Sequence, residues 1–296
     1  MNSEAHITLK NYALMVEERL SVLLAEREIP QNNVIRAAKH SLSSGGKRIR
    51  PVLLLEFYRL CGGKADVLNI ACAIEMIHTF SLIHDDLPCM DNDDFRRGNP
   101  SCHKAYGEAV ALLAGDALAT LPYEIISGEA LSGNIEPLTA IRLINVLTKS
   151  VGIDGMIGGQ IIDMESEGGN ISKEALIFQD SLKTGALIRS ACVMGCILAG
   201  ADEYIIKQAT IYAEKIGLAF QIVDDILDVT STFEKLGKPI SSDKRQNKTT
   251  YVTLFGLEKA KNEAKRLTDE ALCILDSFEN SGFLKDLTLM LLDRNN

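Results

Sequence analysis

Near position 224 the sequence reads IGLAFQIVDDILD, and its three carboxylates are the first side chains whose spacing implies chemistry. Asp224 and Asp228 are i and i+4 on a helix, so they share a face, with Asp225 beside them and Gln221 one turn earlier. At the helical spacing of ~5–6 Å and an effective dielectric near 20, each ionised pair repels by roughly 3 kcal/mol. The preceding residues 216–223 are apolar apart from Gln221, and no Lys or Arg stands three or four positions away to compensate. A divalent cation relieves the repulsion. Carboxylate oxygens without His or Cys suit Mg²⁺, which keeps several waters and shares its coordination with phosphate oxygens.

A second cluster lies at the end of another apolar run, IEMIHTFSLIHDDLPCMD, where Asp85, Asp86 and Asp91 are followed by Asp93 and Asp94. Pro88 has no backbone N–H and breaks the helix, which lets Asp91 turn back toward Asp85. The segment is no calcium EF-hand, because Phe95 stands where a ligand belongs and no glycine follows at the required place. One such cluster alone reads as a solvated helix end. Two on apolar helices predict facing acids around one cavity.

Cations accompany both. SSGGKRIRP places Gly45-Gly46 before a predicted helix whose first turns carry Lys47, Arg48 and Arg50, an arrangement able to cradle a diphosphate. It lacks the GxxxxGK[ST] spacing of a Walker A loop. Arg96-Arg97 follow the first cluster, Lys238 and Lys244 the second, and Lys183-Thr184 lie in a stretch otherwise rich in Ala, Leu and Ile. His78 is two turns before Asp85 on nearly the same face, whereas His84 and His103 read as core.

The elements that must position these residues are helices. Apolar residues recur at helical spacing almost throughout, with no sustained alternation, and Gly and Pro punctuate the chain. About ten helices fit, including 3–28, 47–61, 65–84, 105–130, 138–152, 172–200 and 203–230. No low-complexity linker divides the 296 residues, so positions 1–296 read as one all-α domain. Hydrophobic residues make up 46% and aromatics 5%, with no Trp, so the core is aliphatic. A net charge of −9 argues against nucleic acid as the partner. The N-terminus has no signal-peptide pattern, and the run around 191–201 is short of the ~20 residues a membrane span needs. Seven scattered cysteines form no CxxC pair, and Cys192 and Cys196 read as small buried hydrophobes. A cytoplasmic protein without membrane insertion is expected.

DDLPCMDNDDFRRG (85–98) resembles the first aspartate-rich motif of trans-type prenyl diphosphate synthases, and DDILD resembles the second. GGKRIRP, MIHTFSLIHDD, HKAYGEAVALLAGDAL, GMIGGQIIDM, KTGALIRSACVMG and GKPISSDKRQNKTTY are similar to family motifs in the same order, covering about residues 43–257. The resemblance is nearest to bacterial farnesyl diphosphate synthases and plant-type geranylgeranyl enzymes. It implies the isoprenoid synthase fold, a helical bundle around a deep cavity, as a homodimer. It implies three Mg²⁺ ions held by Asp85, Asp91 and Asp224, with Asp86, Asp225 and Asp228 acting through water. By the same resemblance Lys47, Arg50, His78 and Arg97 bind isopentenyl diphosphate, while Arg96, Lys183, Thr184, Gln221 and Lys238 attend the allylic diphosphate and its cation.

In that family the residues before the first motif form a floor that limits chain growth. Ser81 lies one turn before Asp85, and Phe80 is assigned the floor by resemblance, since an ideal helix puts it roughly 140° away from Asp85. A ring there favours a farnesyl over a geranylgeranyl product. The C-terminus, LLDRNN, lacks the basic tail frequent in the family. A terpene cyclase of the same fold keeps only one such Asp motif, and a non-catalytic partner subunit loses motif aspartates. Both sets are complete here, which favours a synthase.

Overall fold

The structure is a computed structural model describing residues 3–166, 171–230 and 249–292. Lys238, Lys244 and the C-terminal Arg294 lie outside the described residues. The chain is divided into two compact units, His6–Leu55 with Ala65–Ile144, and Met1–Ala5 with Glu56–Lys64 and Asn145–Asn296.

The first unit contains most of α1 (Ser3–Leu23), α2 (Asn32–Leu42), the start of α3 (Ile49–Leu60), α4 (Leu68–Asp85), a two-residue ladder of β1 (Phe95–Arg96) with β2 (Asn99–Pro100), α5 (Cys102–Tyr106), α6 (Glu108–Leu131) and the first half of α7 (Pro137–Val151). Its principal packing is α4 on α6. Helix α6 buries Ala111, Ala114, Gly115, Leu118, Pro122 and Ile126, the three- and four-residue spacing of one helical face. Those small residues let α4 come close; a Cβ at Gly115 would collide with the His84 ring. By length and composition α6 is apolar enough to cross a bilayer, yet it carries Asp116, Glu124 and Glu129 and turns this face into the core.

The second unit contains α8 (Met156–Glu165), α9 (Lys173–Asp180), a π-helical turn (Ser181–Gly185), α10 (Ala186–Leu198), α11 (Glu203–Thr230), α12 (Tyr251–Phe255), α13 (Leu257–Ile274), a 3₁₀ turn (Leu275–Ser277) and α14 (Gly282–Leu292). Leu176, Ala219, Ile222, Val223, Tyr251, Ala260, Ala264 and Leu267 form one buried cluster around α11 and α13. Further along, Phe57 packs tilted against Tyr212 and edge-to-face against Phe278 with centroids 5.4 and 5.3 Å apart, and the Tyr212 and Thr288 hydroxyls hydrogen-bond at 2.7 Å. Such ring pairs contribute about 0.5–1.5 kcal/mol each beyond burial.

The all-α expectation holds. Fourteen α-helical runs occur among the described residues, more than the ten or so expected. The expected helix over 105–130 is broken at Gly107, whose φ of 84° belongs to the left-handed region. The expected helix over 172–200 is interrupted by the π turn. Helix α3 starts at Ile49, so Lys47 and Arg48 precede it rather than occupy its first turn. Arg48 has φ 52° and points inward: its buried guanidinium meets Glu75 at 2.8 Å and Glu17 at 3.2 Å and donates to the Leu42 carbonyl. Arg48 is thus a structural ion-pair partner, not one of the cations around the glycine loop.

Candidate active site

In the first unit, helix α4 ends at Asp85, and residues 86–92 form consecutive tight turns around Pro88. The backbone N–H of Asp91 donates to the Asp85 carbonyl at 2.8 Å, and that of Asn92 to the Leu87 carbonyl at 3.1 Å. Asp91 therefore returns to Asp85 as the proline break predicted, and both side chains are half-buried. Asp86 is buried, which raises its pKa against the opposing pull of Arg96. Arg96 Nε donates to Asp86 Oδ1 at 2.9 Å, its Nη2 donates to the same oxygen, and Nη2 lies 3.2 Å from Asp93.

Arg96 and Arg97 are presented by the β1–β2 hairpin, whose two-residue turn is Arg97-Gly98. Both turn residues have positive φ, 54° and 80°, as the mirror-image hairpin turns require. The Arg97 guanidinium lies against Gly46 and donates to the Gly45 carbonyl, so the glycine loop and the hairpin meet. A side chain at Gly46 would displace that guanidinium. His78 is held well below the usual imidazole pKa by burial first, then by Arg50, Arg97, Arg48 and Arg96. The imidazole is thus neutral within a gathering of arginines that attracts anions. Lys47 is exposed beside the glycine loop and Arg50 is half-buried one position into α3. Phe80 is buried, with its ring edge-to-face on His84 at 5.1 Å. The Ser81 hydroxyl bonds back to the His78 carbonyl at 2.9 Å.

In the second unit the π turn SLKTG sets Lys183 and Thr184 in different directions. Lys183 Nζ lies 2.6 Å from Asp163 Oδ2 on α8. The Thr184 hydroxyl donates to Gln221 Oε1 at 3.2 Å, and Gln221 Nε2 donates to Asp225 Oδ1 at 3.2 Å. Asp225 is buried and its other oxygen accepts the Tyr251 backbone N–H at 2.7 Å. Asp225 is therefore a structural acceptor, while its half-buried neighbour Asp224 occupies the next position of α11. The backbones of α11 and the π turn meet glycine to glycine: a Cβ at Gly217 would lie 3.2 Å from Gly185 Cα.

Two acids escaped the sequence reading. Asp163 sits in GMIGGQIIDM, a segment matched to the family as a motif, but a lone acid among apolar residues gives no spacing signal and it was assigned no role. Asp180, at the end of α9, is buried and has its pKa pushed up to about 8 by burial, then by Asp225 and Asp163, with Lys183 opposing.

No group of three His, Cys, Asp or Glu side chains gathered to hold a metal occurs among the described residues. Mg²⁺ needs only one or two carboxylates when phosphate oxygens and water complete its octahedron. Asp85 and Asp91, drawn together by the turn after α4, fit that requirement.

In the first unit an aspartate cluster at the end of α4 lies among arginines, a combination suited to a diphosphate and its metal. The polyprenyl synthetase family model matches residues 31–286. The chain is 44% identical over 276 residues to a geranylgeranyl diphosphate synthase from Cyanophora paradoxa, covering 91% of each chain. It is 46% identical over 249 residues to a farnesyl diphosphate synthase from Geobacillus stearothermophilus, covering 84% of this chain and 83% of the relative. It also resembles the crystal structure of a geranyltransferase from Helicobacter pylori complexed with magnesium and isoprenyl diphosphate, with TM-score 0.80 and 35% identity over 100% of this chain and 96% of that one. The chain belongs to the polyprenyl synthetase family and is a trans-prenyl diphosphate synthase.

Proposed function

We propose that this synthase joins isopentenyl diphosphate to dimethylallyl and then geranyl diphosphate, giving farnesyl diphosphate, with Mg²⁺ as cofactor and the whole chain acting as one catalytic domain. The observation that carries the product assignment is Phe80, a buried ring five residues before Asp85 and braced edge-to-face by His84. A ring in that place stops chain growth earlier than a small side chain does.

In this reading Asp85, Asp91 and Asp224 hold the metal, three ions in all, together with the allylic diphosphate. When bound, Mg²⁺ supplies positive charge that offsets the charge gathering on the departing diphosphate. Lys183 and Arg96, each held by a carboxylate, add to that compensation with little reorganisation, and by the resemblance Lys238 joins them. Thr184 and Gln221 turn oxygen dipoles toward the allylic cation. Lys47, Arg50 and Arg97 hold isopentenyl diphosphate by charge. Neutral His78 contributes one N–H donor without adding another cation to the cluster. The isopentenyl double bond attacks the allylic cation, and the released diphosphate takes the proton lost in forming the new double bond. No side-chain base is needed.

We also propose a cytoplasmic homodimer. All seven cysteines are free thiols, as a reducing compartment keeps them. Leu112 and Leu113 on α6 with Leu138 and Ile141 on α7 are exposed apolar side chains of one unit, suited to a second copy. Light scattering checks the mass.

A geranylgeranyl product is the second reading, favoured by the name of the Cyanophora relative. The deciding assay offers labelled isopentenyl diphosphate with dimethylallyl, geranyl or farnesyl diphosphate and sizes the products by chromatography. Farnesyl diphosphate should dominate from the two shorter starters. A main product one isoprene unit longer overturns the assignment.

A further inference from the structure

Asp163 lies outside both aspartate clusters and has no part in the chemistry described so far. It is buried on α8, and each of its oxygens is used by a different side chain. Oδ2 takes Lys183 Nζ at 2.6 Å, and Oδ1 accepts Gln179 Nε2 at 2.8 Å. Gln179 belongs to α9 and Lys183 to the π turn that follows, so one carboxylate ties α8 to both.

The backbone fits this arrangement closely. Gly159, one turn before Asp163 on the same face of α8, leaves room that Lys183 fills; a Cβ there would strike the Lys183 backbone nitrogen. The π turn itself widens the helix by one residue, a distortion that recurs at functional sites because it re-aims side chains. Here it sends Lys183 toward Asp163 and the next residue, Thr184, toward Gln221. Lysine has a flexible four-carbon stem and three N–H donors. A carboxylate that takes one donor fixes the stem and leaves two for a ligand.

We propose that Asp163 is a positioning residue, locked by Gln179, that holds the Lys183 ammonium where it meets the allylic diphosphate. This rests on the reading that Lys183 serves that diphosphate. A fold-stabilising ion pair predicts something different, namely loss of stability with no preference between the two substrates.

The test is a double-mutant cycle on the full-length protein. Asp163→Asn keeps the shape and the bond to Gln179 while removing the charge. It should raise KM for geranyl diphosphate or lower kcat by roughly tenfold to a hundredfold, the cost of a misplaced group. KM for isopentenyl diphosphate should stay within about twofold and the thermal midpoint should hold. In a Lys183→Ala background the same substitution should have little further effect, since residues acting as a unit are non-additive. If Asp163→Asn costs as much without Lys183 as with it, Asp163 does not act through the lysine and the proposal fails while the role of Lys183 stands. If Lys183→Ala alone leaves KM for geranyl diphosphate and kcat unchanged, both fall. Should Asp163→Asn not fold, Gln179→Ala frees the carboxylate without burying a new charge. It should give a smaller loss in the same parameter, and an equal loss toward both substrates would overturn the proposal.

Discussion

Asp91 donates its backbone N–H to the carbonyl of Asp85 across 2.8 Å, closing a turn that brings the ends of the first acidic cluster together. An uninterrupted helix would carry these residues about 9 Å apart along its axis. Their proximity is the work of Pro88 and the turns around it.

Removing a carboxylate from either acidic cluster should cripple turnover without unfolding the protein. Asp85→Ala and Asp224→Ala are each expected to lower turnover by roughly a thousandfold, as loss of a principal electrostatic element does. Circular dichroism should be unchanged. Pro88→Ala, which permits the helix to run on, should give an intermediate loss of turnover with the thermal midpoint nearly constant.

Arg48 should behave in the opposite way. Its guanidinium is fully buried against Glu75, which is itself buried. Arg48→Ala leaves that carboxylate uncompensated, and breaking a buried pair from one side costs about 3–5 kcal/mol. Urea denaturation should show a lower midpoint at unchanged slope. A wild-type midpoint in that variant would mean that the pair contributes nothing to the fold.

Asp180 gives the protein a pH-dependent stability. Its carboxyl titrates at about 8 in the native chain against 3.8 as the ordinary value, so the native state holds a proton that the unfolded chain has already lost. The stabilisation is complete below the ordinary value and is lost as pH rises through about 8. The slope attributable to this one proton is at most about 1.4 kcal/mol per pH unit. Asp180→Asn, which cannot ionise, should flatten the decline in unfolding free energy between these values. An identical pH profile for the variant would assign the decline to other groups.

Phe80 carries the product assignment. Phe80→Ala should shift the main product at least one isoprene unit longer, read by chromatography of labelled products. The change also strips the edge-to-face partner from His84, so Phe80→Leu is the better probe of length alone. An unchanged product in both variants would remove Phe80 from the floor.

Much of this architecture was legible beforehand because it rests on periodicity and on proline. The end of α4 follows from an apolar run that stops at aspartates, the aspartates of α11 follow from their i, i+4 spacing on an apolar helix, and the return of Asp91 follows from Pro88. The β1–β2 hairpin was not legible: its strands are two residues long, and its turn depends on Arg97 accepting a left-handed conformation. Arg48 was misplaced for a similar reason. KRIR reads as the start of a basic helix, and only the buried Glu75 on another helix pulls the second cation inward. Asp163 lay inside the quoted motif GMIGGQIIDM without a role, and neither it nor Asp180 gave a spacing signal, since each is a lone acid that meets other acids or amides from distant parts of the sequence.

The π turn touches its neighbours through main chain: Gly185 against Gly217 on one side and Lys183 against Gly159 on the other. Side chains can swing to absorb a substitution nearby, whereas two abutting backbones have nothing to swing. The reach of Lys183 and Thr184 is consequently inherited from the stiffness of helix axes. Repacking of the surrounding aliphatic core can drift while these two side chains keep their aim, and enlarging Gly159 or Gly217 should do more harm than many larger changes around them.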